Sequence, residues 1–551
     1  MRKKKILTSQ FFVFLGLVAL VLVGCGKANT GGPTLAKDQV LIYPNIGTQD
    51  PHNIDPALIQ DVNSAYALDL IDAGLVTLDP KTLKVVPDLA QNWEVSSDGL
   101  TYTFHLRPNL KFSNGDPLTA QDFAYSIDRA FDPKQSGKSY TPTYYLFLIK
   151  GGNERAAGTI PTMIGADEGL VVVDDNTLKI NITQPALWFL AALTYPVSFP
   201  VDKKVVDQFG DNWWDGHFVG TGPFILQDWQ HKVKLTFVQN PNWYGKKPTL
   251  TEVDMPMVAD QNTAWNSFQA KEADVDNLPP SADYTIAKNL GPSEFFEGPA
   301  LSIGYVAPNS KVAPFDNVAV RQAFAEATDR NSIANQILQQ TVLPSDHIVP
   351  DGDPSFNSKF TGLPFNPQDA KAKLTSVYPD VSTMPAVTLE YPKTTDNDKV
   401  ATKLQQDYQT YLGVHINLNA VDFGQLISDI TSKNAAGIFP IQFYLLGWIA
   451  DYPDAQDWID LVTTTNANNT MNFSNSQVDS LAAEADASLD AKKRLADYNQ
   501  AEELAVQNVA WIPFSQGKNI YVFQKWVSGF VQDAQGLTPD ISWPDVQILQ
   551  H

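Results

Sequence analysis

The chain has 551 residues, 43% of them hydrophobic and 18% charged, and a formal net charge of −22. That length implies two to four lobes and a core large enough to fold without staples, and the single cysteine, Cys25, excludes a disulfide within one chain. So acidic a body, with no basic stripe, excludes nucleic acid, whose phosphates it would repel.

The chain opens on MRKKK, a basic n-region, followed by FFVFLGLVALVLVG (11–24), an uncharged run short for a membrane span but matching a signal-peptide core. It ends in LVGC (22–25), which resembles the lipobox of bacterial lipoproteins. Cleavage before Cys25 and lipidation of its sulfur are expected, and the alternative is an uncleaved helical anchor with a buried thiol. Two acyl chains anchor stably where one does not. The small, polar stretch that follows is expected to be a flexible tether, with the body on the outer face of the cytoplasmic membrane. No later segment is long and apolar enough to span.

Short strands and helices then alternate, which predicts an α/β fold. NWEVSSDGLTYTFHL (92–106) predicts a hairpin: Leu100, Tyr102, Phe104 and Leu106 alternate with polar residues, and Asp98-Gly99 is the turn. LVVVDDNTLKINI (170–182) repeats the pattern. DNVAVRQAFAEATDR (316–330) predicts a helix with Val320, Ala323, Phe324 and Ala327 on one face and Asp316 or Asn317 as cap. Residues 477–509 predict helix, with Leu481, Leu489, Leu495, Leu504 and Val509 in the core, and 511–523 return to strand. FPIQFYLL (439–446) predicts a strand running into GWIADYPDAQDW (447–458), where three aromatics meet three acids. An aromatic wall beside a carboxylate can grip a cation; it can also be an ordinary surface loop.

Catalytic signatures are missing. There is no G-x-S-x-G elbow, H-E-x-x-H helix, P-loop, G-x-G-x-x-G or calcium loop. The seven histidines are scattered, none at i, i+4 spacing on a helix, so no metal or other cofactor is expected.

Four stretches, in order, resemble one family: 74–133, 220–244, 315–333 and 447–458. They are similar to extracellular solute-binding proteins of family 5, the oligopeptide- and dipeptide-binding components of ABC importers. The most specific is 74–133, where the hairpin, the N-G-D-P-L-T turn and the next helix match in order. The resemblance implies a periplasmic-binding-protein-like type II fold, with two lobes closing over a cleft and an extra lobe inserted. It implies a signal peptide at 1–24 and a tether at 25–37. Lobe I would combine 38–75, 185–298 and 511–551, lobe II would be 76–184 and lobe III 299–510, with the crossovers between lobes I and III as hinge. It implies a non-enzymatic, monomeric receptor that hands oligopeptides to permease subunits.

In peptide-binding members a W-x-x-D pair anchors the ligand, and its positions here are Trp448 and Asp451. Asp451 would then pair with the α-ammonium of the peptide while Trp448 excludes water. Asp454 is the competing anchor. Tyr452, Tyr305 and Asn309 are further candidates for the cleft, and 46–57 is where lobe I would approach the ligand. Other readings remain open: a receptor for nickel chelates or oligosaccharides, a sugar site drawing on Trp213, Trp214 and Trp265, or a secreted hydrolase.

Overall fold

A computed structural model describes residues 34–47, 50–59, 61–136, 141–277 and 279–551. The leader, Cys25 and the tether up to residue 33 lie outside the described residues. Among those described, no helix is long and apolar enough to cross a membrane.

Three sheets organise the chain. In the first, Val40–Ile42 runs parallel to Glu252–Val258, which continues antiparallel through Lys234–Gln239 to Phe224–Gln230. Leu235 pairs with Met255 and Phe237 with Val253 across the strands. These alternate residues face one core, shared with Leu68 and Ile71 of the helix Val62–Ile71 and with Trp213 and Trp543.

The second sheet is antiparallel, in the order Ala90–Val95, Thr101–Leu106, Thr177–Asn181, Leu170–Asp174. Both hairpins form. Tyr102, Phe104 and Leu106 are buried and His105 sits on the other face, as period-two alternation requires. At the turn the Asp98 carboxylate accepts from the Leu100 N–H at 3.1 Å, and Gly99 takes φ 72°. The helix Ala120–Ala130, started by a Thr119–Asp122 capping box, lays Phe123 and Ile127 on this sheet.

The third sheet has seven strands, with Phe295–Pro308 between Ile512–Phe523 and Phe443–Ile449. Ile303, Tyr305 and Ala307 face a core containing Trp458 and Trp511; Val306 faces another containing Phe324, Tyr408 and Phe443. A sheet covered on both faces explains why these strands carry few polar residues. The helix Val318–Glu326 packs on the second core and is capped by Asn317, whose side chain accepts from the Ala319 N–H at 2.9 Å.

Phe295–Pro308 and Ile512–Phe523 pair along most of their length, and their register breaks between Pro299 and Ile303. Beyond the break, Phe295 and Val522 join a small cluster with Trp265 and Phe268. Before it, Trp511, Ile512 and Phe514 belong to the cores of the seven-stranded sheet. The strand Ile512–Phe523 thus runs from the cores of the seven-stranded sheet to that small cluster.

Residues 477–509 form two helices, Ser476–Asp486 and Ala491–Gln507, because Asp490 caps a new start. Val509 is buried and Leu481 and Leu504 are partly buried, but Leu489 and Leu495 are exposed. Leu489 lies instead over the Gly99 turn, where a Cβ added to Gly99 would meet its Cδ2 at 2.8 Å.

Candidate functional site

A cavity of about 330 Å³ lies where the sheets meet. The helix that starts at the Asp61 cap contributes Asp61, Ala65, Asp69 and Asp72. The loop around 194–199 contributes Tyr195 and Phe199. The end of the strand Phe443–Ile449 and the residues after it contribute Gly447 to Asp451, and the C-terminal loop contributes Asp533, Gln535 and Asp540.

Trp448 and Asp451 are thus brought together on the cavity wall. Strand pairing explains their exposure. Ser302–Pro308 covers one edge of Phe443–Ile449, and the parallel strand Val387–Pro392 covers the other only at Phe443 and Tyr444. Among the described residues no strand pairs with the second edge of Leu445–Ile449. Backbone donors and acceptors are therefore offered beside the carboxylate of Asp451.

Two neighbours hold that carboxylate, and a third holds the main chain beside it. Asp457 hydrogen-bonds its side chain, and the same Asp457 accepts from the Asp451 N–H at 3.1 Å and from the indole N–H of Trp448 at 3.4 Å. The Tyr145 hydroxyl, from the second lobe, also bonds Asp451. Tyr145 stacks on Tyr195 with ring centroids 3.9 Å apart. From the C-terminal loop, the Gln535 side-chain amide donates to the carbonyls of Ala450 and Asp451 at 2.9 and 3.0 Å.

Burial pushes the Asp451 carboxyl up to about 7, against the opposing pull of the Tyr145 and Asp457 bonds. Burial, then the charge of Asp451, pushes Asp457 well above the carboxylate range. Burial and mutual repulsion thus favour one proton shared by the pair near neutral pH, and the negative charge the pair then carries is poised to meet a cation.

The other candidates sit elsewhere. Asp454 does not line the cavity: it caps the helix Ala455–Ile459 and forms a two-pronged ion pair with Arg494 at 2.9 and 2.5 Å. Tyr452 is buried, stacks parallel on Trp188 at 5.8 Å and donates its hydroxyl to Gln456. Tyr305 is stacked on Trp511 at 3.8 Å, inside the core. Asn309 is fully buried and spends its amide on the carbonyls of Phe439 and Ile441 at 2.8 and 2.6 Å. All four make contacts within the fold, and none lines the cavity.

The tryptophans offered for a sugar site are absent from the wall too, since Trp213 is fully buried with its indole on Asp55 at 3.1 Å. Of 46–57, no described residue lines the cavity. Asp55 instead takes Arg129 in a buried pair at 2.9 and 2.6 Å, which ties the first lobe to the second. Tyr195, Asp69, Asp72, Gln535 and Asp540, which line the cavity, and Tyr145, which bonds Asp451, had no sequence signal, because each comes from a segment far from 447–458 in the chain.

Among the described residues no group of three His, Cys, Asp or Glu could hold a metal ion.

Two lobes flanking a cleft, an inserted lobe and two shared long strands define a periplasmic-binding-protein-like type II fold. Residues 84–470 match bacterial extracellular solute-binding proteins, family 5 Middle, and the chain belongs to that family. It is 28% identical to the dipeptide-binding protein DppE of Bacillus subtilis, over 96% of this chain and 97% of that protein. It is 30% identical to the probable deoxycholate-binding periplasmic protein YgiS of Escherichia coli, over 90% of this chain and 91% of that one. The solved structure of the Escherichia coli murein tripeptide-binding protein MppA superposes with a TM-score of 0.79 at 25% identity, over 94% of this chain and 100% of that chain.

Proposed function

We propose that this protein is the lipid-anchored receptor of an ABC importer, that it captures oligopeptides between its lobes, and that it passes them unaltered to the permease. The observation that carries the reading is Asp451, an ionisable carboxylate on the cavity wall beside an unpaired strand edge. A peptide presents two features whatever its sequence: an ammonium at one end and a backbone that can extend a sheet. Asp451 suits the first, through charge-assisted bonds of roughly 1.5–3 kcal/mol each. Leu445–Ile449 suits the second by strand addition. Side chains then need only space, so binding is tight and broad.

Relatives in this family include proteins named for peptides and one named for deoxycholate. A wall of carboxylates disfavours a carboxylate-bearing steroid here, because like charges brought together away from water repel. The N-terminal lipobox supports anchoring. Ligand binding favours the closed form, which the permease would read.

Isothermal calorimetry with a mixed set of short peptides, each free and N-acetylated, tests the reading. Affinity is expected to collapse on acetylation. Equal affinity for both forms removes Asp451 from its role, and release of cleaved product would favour the hydrolase instead.

A further inference from the structure

Two side chains are exchanged across the seam between the inserted lobe and the seven-stranded lobe. Tyr452 leaves the seven-stranded lobe and is buried in the core of the second sheet, whose other buried members all lie between residues 57 and 197. Its ring stacks on Trp188 and meets Tyr145 edge-on, with centroids 6.4 Å apart, while its hydroxyl stays with Gln456 of its own lobe. Leu83 goes the other way. It sits at the tip of the hairpin formed by Val76–Leu78 and Val85–Pro87 and is 7% exposed. It joins the core that holds Trp458 and Trp511, whose other buried members all lie between residues 301 and 511.

Leu83 takes φ 54°, a left-handed backbone that a leucine rarely adopts. The turn fixes it there. The Leu83 N–H donates to the carbonyl of Asp79 at 2.8 Å, and the Asp79 carboxylate accepts from the N–H groups of Lys81 and Thr82 at 3.2 and 2.8 Å. Strained backbone persists where its surroundings over-determine it. For Leu83 the contact that offsets the strain lies in another lobe.

Neither residue lines the cavity. The apolar surface they bury is therefore gained by joining the lobes and not by holding a guest. The buried Arg129–Asp55 pair fastens the inserted lobe to the first. The seven-stranded lobe continues outward through Phe295–Pro308 and Ile512–Phe523, so a swing about those strands draws both pegs out together.

We infer that Tyr452 and Leu83 form a reciprocal latch, which supplies a fixed share of the closing free energy whatever the cavity holds. Such a latch raises the closed fraction of the unliganded protein. It also multiplies the affinity for every ligand by the same factor, because apparent affinity scales with the population of the binding-competent form. It adds strength without adding selectivity. The latch requires only that the lobes part, not that the guest be a peptide.

Small-angle X-ray scattering of the full chain without peptide, and calorimetry with Lys-Ala-Ala, Ala-Ala-Ala and Glu-Ala-Ala, test it. Leu83→Gly removes one peg and suits the left-handed turn, so the hairpin keeps its shape; Tyr452→Ala is the second variant. Each should lower the closing constant by roughly 10- to 100-fold, the loss of one buried side chain. The unliganded variants should then show a larger radius of gyration than the unaltered protein, and affinity for the three peptides should fall by one common factor. A purely packing role would lower the melting temperature and leave the radius where it is. An unchanged radius in both variants, or losses that differ from peptide to peptide, overturn the latch. A larger radius in the variants, with no peptide bound by any form, keeps the latch and removes the peptide receptor.

Discussion

The hydroxyl of Tyr145 reaches from the inserted lobe to the carboxylate of Asp451 in the seven-stranded lobe. The inserted lobe is therefore part of the cavity's chemistry, although its most recognisable stretch, the hairpin at 92–106, lies away from it. The Tyr145 bond favours the ionised form of Asp451, in opposition to burial.

Removing that hydroxyl should show in a pH profile. Asp451 sits at about 7, so protons compete with an amine below that pH, and each further unit costs up to about tenfold in affinity. Tyr145→Phe removes a stabiliser of the charged form, so the midpoint should move upward and binding at pH 7 should weaken. Calorimetry between pH 5.5 and 8.5 reads this directly; an unmoved midpoint means the hydroxyl does not tune the acid.

Asp451→Asn keeps the shape and discards the charge. Affinity for free-amine peptides should drop by roughly 10- to 100-fold, and N-acetylated peptides should bind the variant and the original protein alike. A variant that still separates free from acetylated peptides would place the ammonium elsewhere.

The unliganded protein should lose stability as pH rises. Burial holds Asp72, Asp451 and Asp533 at about 7 and Asp540 at about 6, against an ordinary value of 3.8. Between pH 4 and 7 the folded state binds more protons than the unfolded state, so the slope of stability with pH is negative over that window and stability levels off above it. Glu297, lowered from 4.5 to about 2 by its lysine and tyrosine partners, works in the opposite sense but only below about pH 4.5, at the foot of the window. The melting temperature of the ligand-free protein should therefore be higher at pH 5 than at pH 8, and saturating peptide should narrow the gap.

Arg494→Met tests a structural role. It leaves Asp454 without its partner in a largely dehydrated setting, where such a loss costs about 3 kcal/mol. Urea denaturation should show the loss, while the ratio of affinities among different peptides stays the same. A changed ratio would return Asp454 to the ligand site.

Local pattern carried much of this fold. Alternation in Thr101–Leu106 and the Asp98-Gly99 turn determine a hairpin because every constraint lies within fifteen residues. The helix at Val318–Glu326 was readable for the same reason. Trp448 and Asp451 could be named through the family resemblance alone, whose W-x-x-D pair falls within one short stretch at the end of the strand Phe443–Ile449. Leu489 and Leu495 could not be placed, because a cap at Asp490 resets the helical phase and period alone does not reveal it. Tyr305 lies in the strand Phe295–Pro308 and Asn309 directly follows it, but where their side chains point depends on partners more than a hundred positions away. The acids on the opposite wall come from two segments far apart in the chain, the helix Val62–Ile71 with its caps and the C-terminal loop, so no local pattern brings them together.

Gln535 grips main-chain oxygens at positions 450 and 451, not side chains. Such a clasp is blind to what those two residues are. The lineage can thus retune its appetite by exchanging the acid or its neighbour, one substitution at a time, while the jaws go on meeting in the same place.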